Sequence, residues 1–219
     1  MIRLTVLVFS ALGWLSCASE SSRGNPVKSM TSAPAVLDRF VPKSEGTQTF
    51  RKTQTLMGMP FTISVYDNRD QKVILAAVEQ AFQVIASVEQ KMSEWLPASE
   101  VSKVNQAAGH KPVHVSKPTF EVLMLARELA ERTRGAYDPT WAALRNVWSF
   151  KSSISKPPSQ LEIKNALKRV NYTALKLDRS ERTAYLTQKN MTLGLGSIAK
   201  GYGLEKAQQS LRNAGLKYF

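Results

Sequence analysis

The stretch "GLGSIAKGYG", Gly194 to Gly203, sets four glycines around a Ser-Ile-Ala-Lys centre. Just before it, "MTLGL" (Met191–Leu195) reads as a strand, and residues 199–214 return to helix, so the glycines mark a strand-to-helix junction. Three mechanisms compete for the junction, beside the plain alternative of a glycine-rich turn with no ligand. A phosphate loop needs Gly, four residues, then Gly-Lys-Ser/Thr, but Lys200 follows Ala199 and precedes Gly201, so that pattern fails. The dinucleotide fingerprint matches at Gly194, Gly196 and Ala199, yet "NMTL" is a poor buried strand and no second parallel strand follows. The third mechanism is generic. Glycines let the backbone approach an anion, the helix start presents free N–H groups to it, and Lys200 adds a cation.

Working outward, "TALKLD", "TAYLT" and "MTLGL" are separated by the polar turns "RSER" and "QKN", which predicts a three-stranded antiparallel meander. "FTISVY" (Phe61–Tyr66) alternates apolar and polar residues and predicts a half-buried strand. From Asp70 to Met92, the residues Val73, Ala77, Ala81, Val84 and Val88 fall on one helical stripe. Ser116 with Pro118 opens a second helix that stops near Gly135. Ser159 and Glu162 form a capping box for a third helix running to about Val170. "GLKYF" (Gly215–Phe219) reads as the start of another strand, with Leu216 and Tyr218 expected on exposed apolar faces. Helices and strands without regular alternation give an α+β fold with an antiparallel or mixed sheet and packed helices.

The chain carries 30 Lys+Arg against 17 Asp+Glu, a net charge of +13. Those charges are spread from Arg23 to Lys217 rather than gathered on one face, which argues against a dedicated nucleic-acid surface. Residues 1–16, "MIRLTVLVFSALGWLS", combine Arg3 with an apolar run too short to span a bilayer, as in an export signal. Small residues flank Cys17, the single cysteine, so residues 1–17 resemble a bacterial lipoprotein signal whose cysteine is lipidated. Trp14 departs from the usual Leu there, and plain secretion is the alternative. Residues 18–48 are rich in Ser, Pro, Gly and Thr and read as a flexible tether, leaving residues 49–219 for the folded domain.

Four segments together resemble the ApbE family of FAD:protein FMN transferases. They are "TLMGMPFTISVYD" (Thr55–Asp67), "KMSEWLPASEVSKVN" (Lys91–Asn105), "GAYDPTWAALRNVW" (Gly135–Trp148) and "LGLGSIAKGYGLEKA" (Leu193–Ala207), in the family's order. The resemblance implies the N-terminal part of an ApbE-like, T-fold-related domain. It also implies a reaction: FMN moves from FAD to a Thr or Ser hydroxyl of an acceptor flavoprotein, with a divalent metal such as Mg2+. Some family members instead hydrolyse FAD to FMN and AMP, and a non-catalytic FAD-binding lipoprotein is a further alternative.

By the same resemblance, Met57, Trp95, Ala136, Tyr137, Asp138 and Lys200 are expected to bind the flavin dinucleotide, and Ser197 to offer a metal ligand. Trp95 stands where the family commonly has a stacking Tyr, and Gly194 where it often has an Asp that hydrogen-bonds the dinucleotide. Thr140 and Trp148 are expected to serve capping and core. The family's remaining metal-ligand motifs have no counterpart up to Phe219, so this stretch is expected to transfer little FMN by itself. His110 and His114 lack accompanying ligands and are expected at the surface. With the lipidated Cys17, the resemblance implies a membrane-anchored protein of the bacterial cell envelope, facing the periplasm.

Overall fold

Along "QTFRKTQTL" every second side chain is half-buried, and "MPFTISVYD" sends Phe61 and Val65 inward. The two stretches pair as an antiparallel hairpin, β1 (Gln48–Leu56) and β2 (Met59–Asp67), in the computed structural model, which describes residues 48–148 and 157–219. The expected signal, Cys17 and the tether up to residue 47 lie outside those residues; Gln48, placed in the tether by composition, opens β1. Met57 and Gly58 turn the hairpin with φ of 52° and 74°, the left-handed pair that suits a two-residue connection.

Asp70 caps α1 (Gln71–Met92) by accepting from the Lys72 amide at 2.6 Å. The buried stripe is Ile74, Ala77, Val78, Ala81, Phe82, Ile85, Val88 and Met92; it keeps the expected Ala77, Ala81 and Val88, whereas Val73 is 52% exposed and Val84 only half-buried. The helix is apolar around much of its girth because it serves two cores, which blurs the phase of the pattern. One core joins its first turns to Phe61, Val65, Ala207, Leu211 and Leu216. The other joins Val88 and Met92 to Leu123, Leu175, Leu186, Leu193 and Leu195.

Ser99 caps α2 (Glu100–Gln106), bonding the Ser102 amide at 3.0 Å. In α3 (Lys117–Arg132), Ser116 sits at the cap but turns its hydroxyl to Glu100 Oε2 at 2.9 Å. Gly135 closes α3 with φ of 84°, its amide bonding Ala130 O at 2.8 Å. The capping box of Ser159 and Glu162 is formed at the start of α4 (Gln160–Leu167). Trp148, expected in the core, is 42% exposed.

The predicted meander needs correction. Its first two strands exist as β4 (Leu175–Asp178) and β5 (Thr183–Leu186), but the third partner is β3 (Val113–His114), and the order is β3-β5-β4. "MTLGL" forms no strand, and among the described residues it makes an isolated parallel bridge, Thr192 to Trp141. The side chain of Asn105 takes the place of a neighbouring strand there. It accepts from Leu193 N at 2.7 Å and donates to Leu193 O at 3.1 Å. With Met191, Leu193 and Leu195 all buried, this segment then enters α5 (Gly196–Asn213), which packs along α1. After α5, Tyr218 O accepts from Tyr66 N at 3.0 Å and Leu216 is buried rather than exposed, whereas Tyr218 remains half-exposed.

Candidate functional site

The start of α5 is the focus. Its cap residue, Leu195, offers no side-chain acceptor, so among the described residues no cap side chain takes up the first amides of the helix. Such a start carries partial positive charge and exposed donors. Ser197 is exposed in this first turn, and Lys200 folds back to place Nζ 3.2 Å from Gly196 O. A methyl group at Gly196 would lie 3.9 Å from Lys200 Nζ and 4.0 Å from Glu94 Oε1, so both charged groups border the turn.

Glu94 and Trp95 reach this place because α1 ends at Ser93, whose amide still bonds Glu89 O. Glu94 is 7% exposed at its side chain and pairs with Arg145 at 3.3 Å. Arg145 lies in the 3-10 turn Ala142–Asn146, and its guanidinium stacks 4.3 Å from the Trp95 ring and 5.6 Å from that of Trp141. Burial lowers the Arg145 pKa from its usual value, and the Glu94 charge opposes that shift. Trp95 itself is 61% exposed, leaving much of its indole open to solvent.

The turn after α3 supplies the opposite border. Thr133 donates its hydroxyl to Leu129 O and accepts from Tyr137 N at 3.0 Å, which fixes the chain through Ala136 and Tyr137. The Tyr137 hydroxyl is buried with no well-formed hydrogen bond among the described residues. Its pKa is raised, chiefly by burial, with Ser197 nearby pulling it down and the Asp138 charge pushing it up. Asp138 is committed to the local chain. Oδ1 accepts from Thr140 N at 2.8 Å and Thr140 Oγ1 at 2.6 Å, and Oδ2 accepts from Tyr172 N at 2.9 Å.

Glu94, Tyr137, Ser197 and Lys200 thus meet at one helix start, and Trp95 joins them through Arg145, which stacks on its ring and pairs with Glu94; Ala136 is exposed on the adjoining turn. Met57 sits at the hairpin turn, packed against both cores. Glu94, Arg145 and Trp141 are part of the same constellation and were missed from the sequence, although all three fall inside the quoted motifs. Glu94, immediately before Trp95, was the most readable of them.

These residues fit a phosphate-bearing aromatic ligand: free helix amides, a cation, an exposed indole and a buried phenol awaiting a partner. A metal ion fits less well. Among the described residues no three His, Cys, Asp or Glu side chains converge, and both His110 and His114 are exposed. A groove of about 580 Å³ lies elsewhere, between α1 and α5 over Tyr202 and Lys206.

The comparisons agree with this architecture. The model of the ApbE family matches residues 57–219. The FAD:protein FMN transferase of Treponema pallidum is 28% identical over 167 residues, covering 74% of this chain and 46% of that protein. Its counterpart from Klebsiella pneumoniae is 28% identical over 157 residues, covering 72% and 48%. The crystal structure of the ApbE protein from Thermotoga maritima superposes with a TM-score of 0.69 at 27% identity, covering 76% of this chain and 53% of that one. The flavin transferase ApbE from Vibrio cholerae, 23% identical with a TM-score of 0.68, shares the fold, covering 78% of this chain and 55% of that one. The chain spans about half the length of the curated relatives it matches. With the family model covering most of the described domain and the helix start in place, the chain belongs to the ApbE family.

Proposed function

We propose that this chain supplies the flavin-dinucleotide grip of an FMN transferase. The observation that carries the reading is the uncapped start of α5, bordered by Lys200, Trp95 and Tyr137. The amides of Gly196 and Ser197 and the Lys200 ammonium hold the pyrophosphate of FAD, where their charge is worth most as negative charge shifts between the phosphates. Trp95 stacks on a ring of the ligand, and the buried Tyr137 hydroxyl donates into the site.

In the transfer, a Thr or Ser hydroxyl of the acceptor attacks the phosphorus on the FMN side. A new P–O bond forms to the acceptor oxygen, the bond from that phosphorus to the bridging oxygen breaks, AMP leaves carrying the bridging oxygen, and the hydroxyl proton passes to water or to the AMP phosphate. Ser197 would offer a divalent metal one oxygen ligand, and among the described residues no cluster of His, Cys, Asp or Glu stands ready to complete its shell. We place the protein in the cell envelope, held by lipid on Cys17.

Titration of the chain with FAD, followed by quenching of flavin fluorescence, tests the grip. Saturable binding that weakens in Lys200→Ala and in Trp95→Ala is expected. Absence of binding by the folded wild-type chain would overturn the reading.

A further inference from the structure

Trp95 stands at the site on a loop, and 61% of it is exposed. A side chain so open stacks well only if something holds its inner face, because ordering a free ring is paid out of the binding energy. Arg145 provides such a hold. Its guanidinium lies 4.3 Å from the Trp95 ring centre and 5.6 Å from that of Trp141. Glu94, with a side chain 7% exposed, pairs with it at 3.3 Å. Trp141 is in turn fixed by donating Nε1 to Gly194 O at 3.0 Å.

Arg145 does not look like a ligand contact itself. Its buried Nη2 faces Glu94 Oε1 at 3.3 Å, and its Nε is buried with no well-formed hydrogen bond among the described residues. A guanidinium kept so dry beneath an aromatic face is placed for stacking, and its planar form suits two rings at once.

We propose that Arg145 is a positioning residue that holds Trp95 as the stacking platform for the flavin dinucleotide. The inference rests on the flavin-grip reading above and names the device that makes the exposed indole effective. Electrostatic anchoring comes from Glu94, and the chain from Gly194 through Trp141 ties the platform to the phosphate-facing turn.

The test is a double-mutant cycle on FAD affinity with wild type, Arg145→Leu, Trp95→Ala and the double variant, folding being checked by near-ultraviolet circular dichroism. Arg145→Leu is expected to weaken FAD binding by about three- to tenfold, and to add nothing further once Trp95 is Ala. Arg145→Lys, which keeps the charge but loses the planar stack, should fall between wild type and Arg145→Leu. Additive losses, or no loss in Arg145→Leu, would overturn the proposal. A second arm needs no ligand: 5-fluorotryptophan labelling, with the Trp95 resonance assigned by Trp95→Phe. Its line should sharpen in Arg145→Leu as the ring is released, and an unchanged linewidth overturns the positioning role. A wild-type chain that binds no FAD removes the flavin-grip reading and the platform role with it, while the fluorine arm separates that failure from a failure of the Arg145 hold.

Discussion

The indole of Trp141 fills the space that any side chain at residue 194 would need. A Cβ built on Gly194 would lie 2.9 Å from Trp141 Nε1 and 3.0 Å from Ala142 Cβ, while that same Nε1 donates to Gly194 O at 3.0 Å. A side chain at residue 194 and the Trp141 indole are therefore alternatives for one volume. Their exclusion leads to a stability prediction. Gly194→Ala should cost about 1–3 kcal/mol by overpacking. Combined with Trp141→Val, the same change should cost distinctly less, as read from urea denaturation midpoints. Independent, additive costs would show that the two positions do not compete.

Asp138 is expected to matter to the fold at least as much as to any ligand. Its carboxylate accepts three hydrogen bonds, from the amide and hydroxyl of Thr140 and the amide of Tyr172. Removing it leaves buried Thr140 and the start of the following turn without acceptors. Asp138→Ala should destabilise the domain by about 2–4 kcal/mol, since each orphaned buried group costs about 1–3 kcal/mol. A thermal melt within experimental scatter of wild type would contradict this.

Asn105 stands in for a missing strand neighbour at Leu193. Asn105→Ala removes both of its bonds to that residue and should cost about 2 kcal/mol in chemical denaturation. Loosening should concentrate at residues 191–195, where amide hydrogen exchange ought to rise first. Uniformly raised exchange across the domain would argue against a local role.

Acid should weaken the join between the hairpin and α5 through Asp67. Side-chain hydrogen bonds from Arg69 hold the Asp67 pKa below the usual 3.8, against a smaller effect of burial. A lowered folded pKa means that the stabilisation is full above the unfolded value and is lost as pH falls from about 3.8 through the folded one. Asp67→Asn should therefore flatten the fall of stability in that acid range and leave its shape near neutral pH unchanged. An identical acid limb in the variant would count against the assignment.

Localisation offers a separate check. If lipid on Cys17 provides the hold proposed above, Cys17→Ser should move the protein from the membrane fraction to the soluble periplasmic fraction. A wild-type protein already soluble in the periplasm would favour plain secretion.

Much of the helical frame was legible because its signals are local. Asp70, the Ser159–Glu162 box and Gly135 act within a turn of the chain, and all three occupy the expected places. β1 escaped notice because its exposed face carries Arg51, Thr53 and Thr55, which makes the strand read as polar. The two-residue β3 is too short to leave any period, yet it supplies the sheet partner that "MTLGL" was expected to be. At the site, a motif placed Trp95 and Lys200 near a ligand, but the pairing of Glu94 with Arg145 spans a long stretch of sequence and is set by tertiary packing. Tyr137 was legible as a residue of interest; the burial that leaves its hydroxyl unpartnered was not.

Helix α5 begins at the glycine-rich turn and ends where Arg69 Nη1 donates to Ala214 O at 3.1 Å. Its 18 residues span about 27 Å at the usual rise per residue. Packed along α1, it acts as a stiff lever with one end clamped to the hairpin. A tilt of about 5° at the clamp would swing the opposite tip by roughly 2 Å, enough to break a hydrogen bond to a phosphate oxygen. On the proposed flavin grip, substitutions around Asp67 and Arg69 therefore change the aim of the Gly196 and Ser197 amides without touching the dinucleotide.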